Sequence, residues 1–290
     1  MSATAPPDIR EGQQGPPEDL DEGKGSRGAT VIMVSAVVLL LLPFIPLFLH
    51  AFGDQYFFPQ LIPDNFTVSA WRTALFENDR LWSSTFKSLR IAVAVTVICL
   101  AIGTPAARAM GLYTFRGRSA IEFALLTPVL VPTIAIGLGL QISFIRLGLS
   151  NSELGVILVH LVPALPYTVI ILSGVFSNYQ PEFEDQARTL GASRLRTVWF
   201  VMMPMIAPGL AVAAFFSFLI SWSQYVLTLL IGGGSVITLP ILVFSLVSGG
   251  NLRITSVVSL MFMLPAVLLL LLVARFLAPG RALSGGITKS

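Results

Sequence analysis

Between Pro181 and Leu210 the chain sets carboxylates, an apolar stripe, a small-residue break and three arginines in a fixed order. Proline biases the residue before it away from helix, so a new helix is expected to begin near Glu182. Glu182, Glu184 and Asp185 then fall in its first turn, where negative charge complements the helix dipole. Ala187, Leu190, Leu195, Val198 and Trp199 offer an apolar face, and Arg188, Arg194 and Arg196 lie largely on other faces. Gly191 and Ala192 are small where the direction changes, so another chain can approach the backbone closely. The segment runs on to Met203-Pro204 and Pro208-Gly209. Such an order suits docking of a second protein. A helix lying on a membrane surface is the plain competitor, but it needs neither acids in its first turn nor the Gly191-Ala192 break.

Bond-making chemistry is not readable elsewhere. His50 and His160 are the only histidines, and neither has a Cys, His or carboxylate partner at metal-ligand spacing. Glu122 and Glu153 stand near the starts of apolar runs, where capping the helix dipole is the plain role. No Ser-His-Asp set is present at useful spacing, and Gly232-Gly233-Gly234 lacks the lysine of a phosphate loop. Cys99, the single cysteine, lies in an apolar run and reads as a small buried hydrophobe. The chain is therefore expected to be no enzyme and to hold no cofactor or metal.

The elements that position the loop are membrane spans. Hydrophobic residues make up 54% of the chain and charged ones 11%, with a mean hydropathy of +0.82, against roughly a quarter charged in a soluble domain. A net charge of +3 gives no reason to expect nucleic acid as a partner. Helices crossing a bilayer need about 20 apolar residues, and six segments qualify: 29–52, 86–110, 119–146, 153–178, 204–232 and 255–278. The fold class is accordingly an all-α membrane protein, with a core membrane domain at 86–278. Residues 1–28 are acidic, Pro- and Gly-rich and read as a disordered tail without signal-peptide character, and 279–290 as a second tail. The polar stretch 53–85 reads as an external loop with a short helix. Placing both termini in the cytoplasm puts twelve of the 18 Lys and Arg residues inside, together with the Pro181 loop.

The spacing of this loop resembles the EAA loop of permease subunits in binding-protein-dependent ABC importers of the type I (MetI-like) fold. There Glu-Ala-Ala is followed by three residues, a glycine and, about ten residues on, Leu-Pro. Here Asp185, Gln186 and Ala187 stand at the first three positions, Gly191 at the glycine and Met203-Pro204 at Leu-Pro. Aspartate keeps the charge on a shorter stem, and Gln186 is a departure. Phe115-Arg116-Gly117-Arg118 and Pro128-Val129-Leu130-Val131-Pro132 are further echoes. The resemblance implies a coupling helix at about 182–193 that docks on a cytoplasmic ATPase dimer through Glu184, Asp185, Ala187, Arg188, Gly191, Ala192 and Arg194. It also implies a second permease subunit, identical or homologous, an external substrate-binding protein, and ATP and Mg bound by the partner ATPase.

Polar residues inside spans usually face the bundle interior or a cavity. Gln141, Ser221, Gln224 and Tyr225 are the candidates for lining a path, with helix–helix hydrogen bonding as the competing use. Residues 232–250 hold an apolar stretch too short to span, opened by Thr238-Leu239-Pro240. The resemblance makes this an outer scoop beneath a docked binding protein. Its Ser221–Tyr225 and Thr238–Pro240 pattern is more similar to polyamine, thiamine, iron and oxyanion permeases than to sugar permeases. A secondary transporter is the alternative class, and predicts paired broken helices and an intramembrane charge pair.

Overall fold

A computed structural model describes residues 22–54, 56 and 60–278, so the expected tail before residue 22 and the one at 279–290 lie outside the described residues. The chain divides into two units, 1–46 and 47–290. In the first, α1 (Glu22–Leu41) already has helical backbone seven residues before the expected start of the span. Leu42-Pro43 interrupts the helix, and α2 (Phe44–Phe52) follows across the unit boundary.

The second unit is helical throughout its described core. A short helix, α3 (Ser69–Arg72), runs through a wide π-type turn at Thr73–Glu77 towards α4 (Asp79–Leu112). The Asn78 side chain accepts the Arg80 amide, so α4 starts seven residues earlier than the apolar run at 86 suggests. Then come α5 (Arg118–Leu130), α6 (Thr133–Arg146), α7 (Glu153–Ser177), α8 (Glu182–Thr189) and α9 (Arg194–Thr197). The chain ends in α10 (Met203–Trp222), α11 (Val226–Gly232), α12 (Leu239–Ser248) and α13 (Leu252–Leu277).

Four stretches are long and apolar enough to cross a bilayer: 79–112, 153–177, 194–222 and 252–277. Two broken pairs, 30–41 with 44–52 and 118–130 with 133–146, bring the number to six. The expected third span at 119–146 is present as a broken pair. It bends by 103° between α5 and α6, because Pro132 has no N–H to continue the helix and Val131 before it is extended. The expected fifth span at 204–232 is corrected at both ends. Helix runs unbroken from Arg194, through a π-type turn at Val198–Met202, to Trp222, and stops there. That wide turn lies immediately ahead of Pro204 and absorbs its missing backbone donor.

The core is the mutual packing of α4, α7 and α10. Small residues bring the backbones together: Gly103 meets Thr168, Gly111 meets Phe176, and Gly209 meets Val175. Thr168 and Ser217 share a hydrogen bond of 2.6 Å, fully buried between α7 and α10. At one end of α4, Arg90 grips Glu153 at the start of α7 with bonds of 2.6 and 2.7 Å, so that carboxylate is more than a dipole cap. The same end holds α12, whose Leu239 amide donates to Ser88. At the other end, Arg108 reaches α8.

Candidate coupling loop and pathway lining

Three residues fix α8 to the bundle. The Arg108 guanidinium donates to Glu184 Oε2 at 2.9 Å and to Met202 Sδ at 3.0 Å. The Tyr179 hydroxyl donates to Glu184 Oε1 at 2.7 Å, and its ring meets Phe176 edge-on. Burial pushes the Tyr179 phenol well above its ordinary range, and the bond to Glu184 adds to the shift. Glu184 is only 3% exposed, so it faces its own chain and cannot present itself to a docking partner. Of the seven residues expected to contact an ATPase, this one is instead the anchor.

The rest of the loop faces outward. Asp185, Arg188 and Arg194 are exposed and Ala187 is half-buried. Leu190 is 88% exposed at the end of α8, an unusual position for a leucine, and Leu195 is 69% exposed in α9. Gly191 adopts φ +88°, and a side chain there would meet nothing within 4 Å. Its glycine is thus required by the left-handed turn between α8 and α9 rather than by crowding. Ser193 caps α9 by accepting the Arg196 amide. A shallow hollow is lined by Glu182, Asp185, Gln186, Thr189 and Leu190.

The four candidate pathway residues separate. Gln224 lies in the break between α10 and α11 and lines a cleft of about 240 Å³. Pro128, Val129 and Val131 of the bent third span and Pro163 and Tyr167 of α7 line the same cleft. Two interrupted helices and a proline-containing one therefore converge on one hollow. Tyr225 packs against Phe244 of α12, with ring centres 4.8 Å apart and the planes tilted by 38°. Gln141 donates at 3.4 Å to the Leu230 carbonyl of α11, a helix–helix contact. Ser221 is 4% exposed and bonded to His160, so it lies inside the α7–α10–α11 junction and is not among the residues lining this cleft. Trp222 is a core anchor, stacked between Phe218 and Phe262 and donating to the Phe262 carbonyl at 3.0 Å. Among the described residues no group of His, Cys, Asp and Glu is placed to hold a metal ion.

A family model described as "binding-protein-dependent transport system inner membrane component" matches residues 100–282, well over half of the chain, and the chain belongs to that family. It is an ABC importer permease of the type I fold, a multi-pass component of a bacterial inner membrane. The spermidine/putrescine transport system permease protein PotC of Haemophilus influenzae is 28% identical over 62% of this chain and 70% of its own. The diacetylchitobiose uptake system permease protein DasC of Streptomyces coelicolor is 27% identical over 80% and 84%. The fold matches a bacterial ABC transporter involved in import of the acidic polysaccharide alginate, with a TM-score of 0.70 at 19% identity, covering 89% of this chain and 98% of the other.

Proposed function

We propose that this chain forms half of a solute path driven by a separate ATPase, and that the 182–196 loop receives the driving motion. The observation that carries this reading is the pairing of a locked base with an exposed tip. Glu184, Arg108 and Tyr179 fix α8 to the bundle, while Leu190 is left 88% exposed at its end. With Leu195 also 69% exposed in α9, the tip offers apolar side chains that a partner can cover. ATP and Mg are held by that partner, since no phosphate loop is present in this sequence. A second permease subunit completes the path, an external binding protein delivers the solute, and both termini and the loop lie in the cytoplasm.

The solute is small and polar, with a polyamine the first candidate. The spermidine/putrescine system relative supports this, and the cleft beside Gln224 carries polar groups from Ser223, Gln224, Tyr167 and Thr133 without a fixed charge. A sugar is the second reading, favoured by the relative from a diacetylchitobiose uptake system, which spans more of this chain. The deciding experiment is purification of the tagged chain in mild detergent with mass spectrometry of what accompanies it. A co-purifying ATPase with phosphate-loop motifs is the expected result, and an accompanying binding protein would give the solute by its own ligand. Recovery of this chain alone, with uptake intact after reconstitution, would overturn the proposal.

A further inference from the structure

His160, eighth of the 25 residues of α7, is 1% exposed and has a hydrogen-bond partner on each ring nitrogen. Its Nδ1 lies 2.9 Å from Ser221 Oγ, one residue before α10 ends. Its Nε2 lies 2.9 Å from Thr228 Oγ1, in the first turn of α11. Between those two contacts is the break at Ser223–Tyr225 that opens onto the cleft. One side chain of a neighbouring helix thus holds both lips of an interrupted span.

The direction of the bonds follows from hydrogen counting. Thr228 has a single hydroxyl hydrogen, and it is given to the Gln224 carbonyl at 2.7 Å. The threonine oxygen therefore accepts from His160, which places the ring hydrogen on Nε2. Nδ1 is then the acceptor, and Ser221 donates to it. The chain of bonds runs Ser221 to His160 to Thr228 to the Gln224 carbonyl, and ends on a peptide group inside the break. Gln224 itself needs that partner, because the interruption removes the regular helical pairing that would serve its carbonyl.

We infer that His160 is a positioning residue that brackets the break in the fifth span and sets the Ser223–Tyr225 turn against the cleft. This rests on the reading that the cleft belongs to the solute path. A ring nitrogen pair is one way to supply a donor and an acceptor at fixed separation, and a glutamine amide is another. A leucine supplies neither. Thr228→Val keeps the shape of the last link and removes only its hydroxyl.

The test places a cysteine at the turn. In the full-length Ser223→Cys protein the native Cys99 is fully buried and leaves the new thiol as the reporter. Its rate of reaction with a maleimide is then measured in membranes, with Ser248→Cys on α12 as a control position. His160→Leu and Thr228→Val are expected to raise labelling at 223 by about fivefold, with the rate at 248 unchanged. His160→Gln is expected to restore the parent rate. Unchanged labelling in both His160→Leu and Thr228→Val would overturn the bracket, as would a His160→Gln protein that labels like His160→Leu. Putrescine uptake reports separately on the pathway reading. Uptake indifferent to a loosened turn would remove the break from the path and leave the bracket in place.

Discussion

Glu184 sits between the Arg108 guanidinium and the Tyr179 hydroxyl, and removing it strands a cation that is only about a quarter exposed, at 26%. Glu184→Ala is expected to cost about 2 kcal/mol locally, and Tyr179→Phe about 1 kcal/mol. Hydrogen exchange of the 182–190 amides should report both, with the larger loss of protection in Glu184→Ala and helices α4 and α7 unaffected. The sign of the pH dependence follows from the raised phenol. Its folded value lies above the unfolded one, so its contribution is fully present below the ordinary tyrosine value of about 10 and fades only as pH climbs through the raised one. Alkaline conditions up to about pH 10 should therefore leave exchange protection of α8 unchanged after correction for intrinsic rates. The family resemblance put Glu184 on the docking face beside Asp185, and nothing local in the first turn tells its acids apart. Only the fold separates the one that meets Arg108, 76 residues earlier, from the two that meet water.

At the scale of elements, α8 and its following turn make opposite demands on two adjacent positions. Leu190 is free of its own chain, so Leu190→Asp should change folding stability by no more than about 0.5 kcal/mol while abolishing ATPase-driven uptake. Gly191 is held at φ +88°, so Gly191→Ala should destabilise the turn by about 1 kcal/mol. Thermal stability and uptake measured on the purified pair separate the roles. A Leu190→Asp protein that transports normally would remove the docking function from this tip. The helix starting at Glu182 and the turn at Gly191 were legible in sequence, because proline, first-turn acids and glycine act locally. The 103° bend was not, although Pro132 was in view, because a proline within an apolar run fits a kinked span as well as a broken one. The stop at Trp222 was equally hidden. Ser223, Gln224 and Tyr225 carry no glycine or proline, and their departure from helix depends on His160, some sixty residues away in the chain.

For the whole molecule, the two ends of α4 give a test of orientation that needs no knowledge of the solute. Arg108 near one end joins α8, while Ser88 near the other joins α12. Ser88 and Arg108 are 20 residues, or about 30 Å, apart along α4, about the thickness of the hydrocarbon, so loop and scoop are expected to emerge on opposite sides. A membrane-impermeant maleimide should label Ser248→Cys from outside intact spheroplasts and Thr189→Cys only after permeabilisation. The reverse pattern would invert the assignment that the Lys and Arg distribution supports. Broken helices by themselves do not distinguish an ABC permease from a secondary transporter, since both line solute paths with interrupted backbone. Family membership makes that distinction here.

The unbroken helix from Arg194 to Trp222 has a mechanical meaning. At 29 residues it is a rod of about 44 Å with one end in the exposed loop and the other at the lip of the break. Its bulge at Val198–Met202 rests against Arg108, whose bond to Met202 provides a point about which the rod can tilt. A tilt of about 5° there would carry the far end, 20 residues or about 30 Å away, sideways by about 2.6 Å, close to the width of a water molecule. On the proposed coupling, gearing of that kind would pass a push at the loop to the Ser223–Tyr225 break at the other end of the rod.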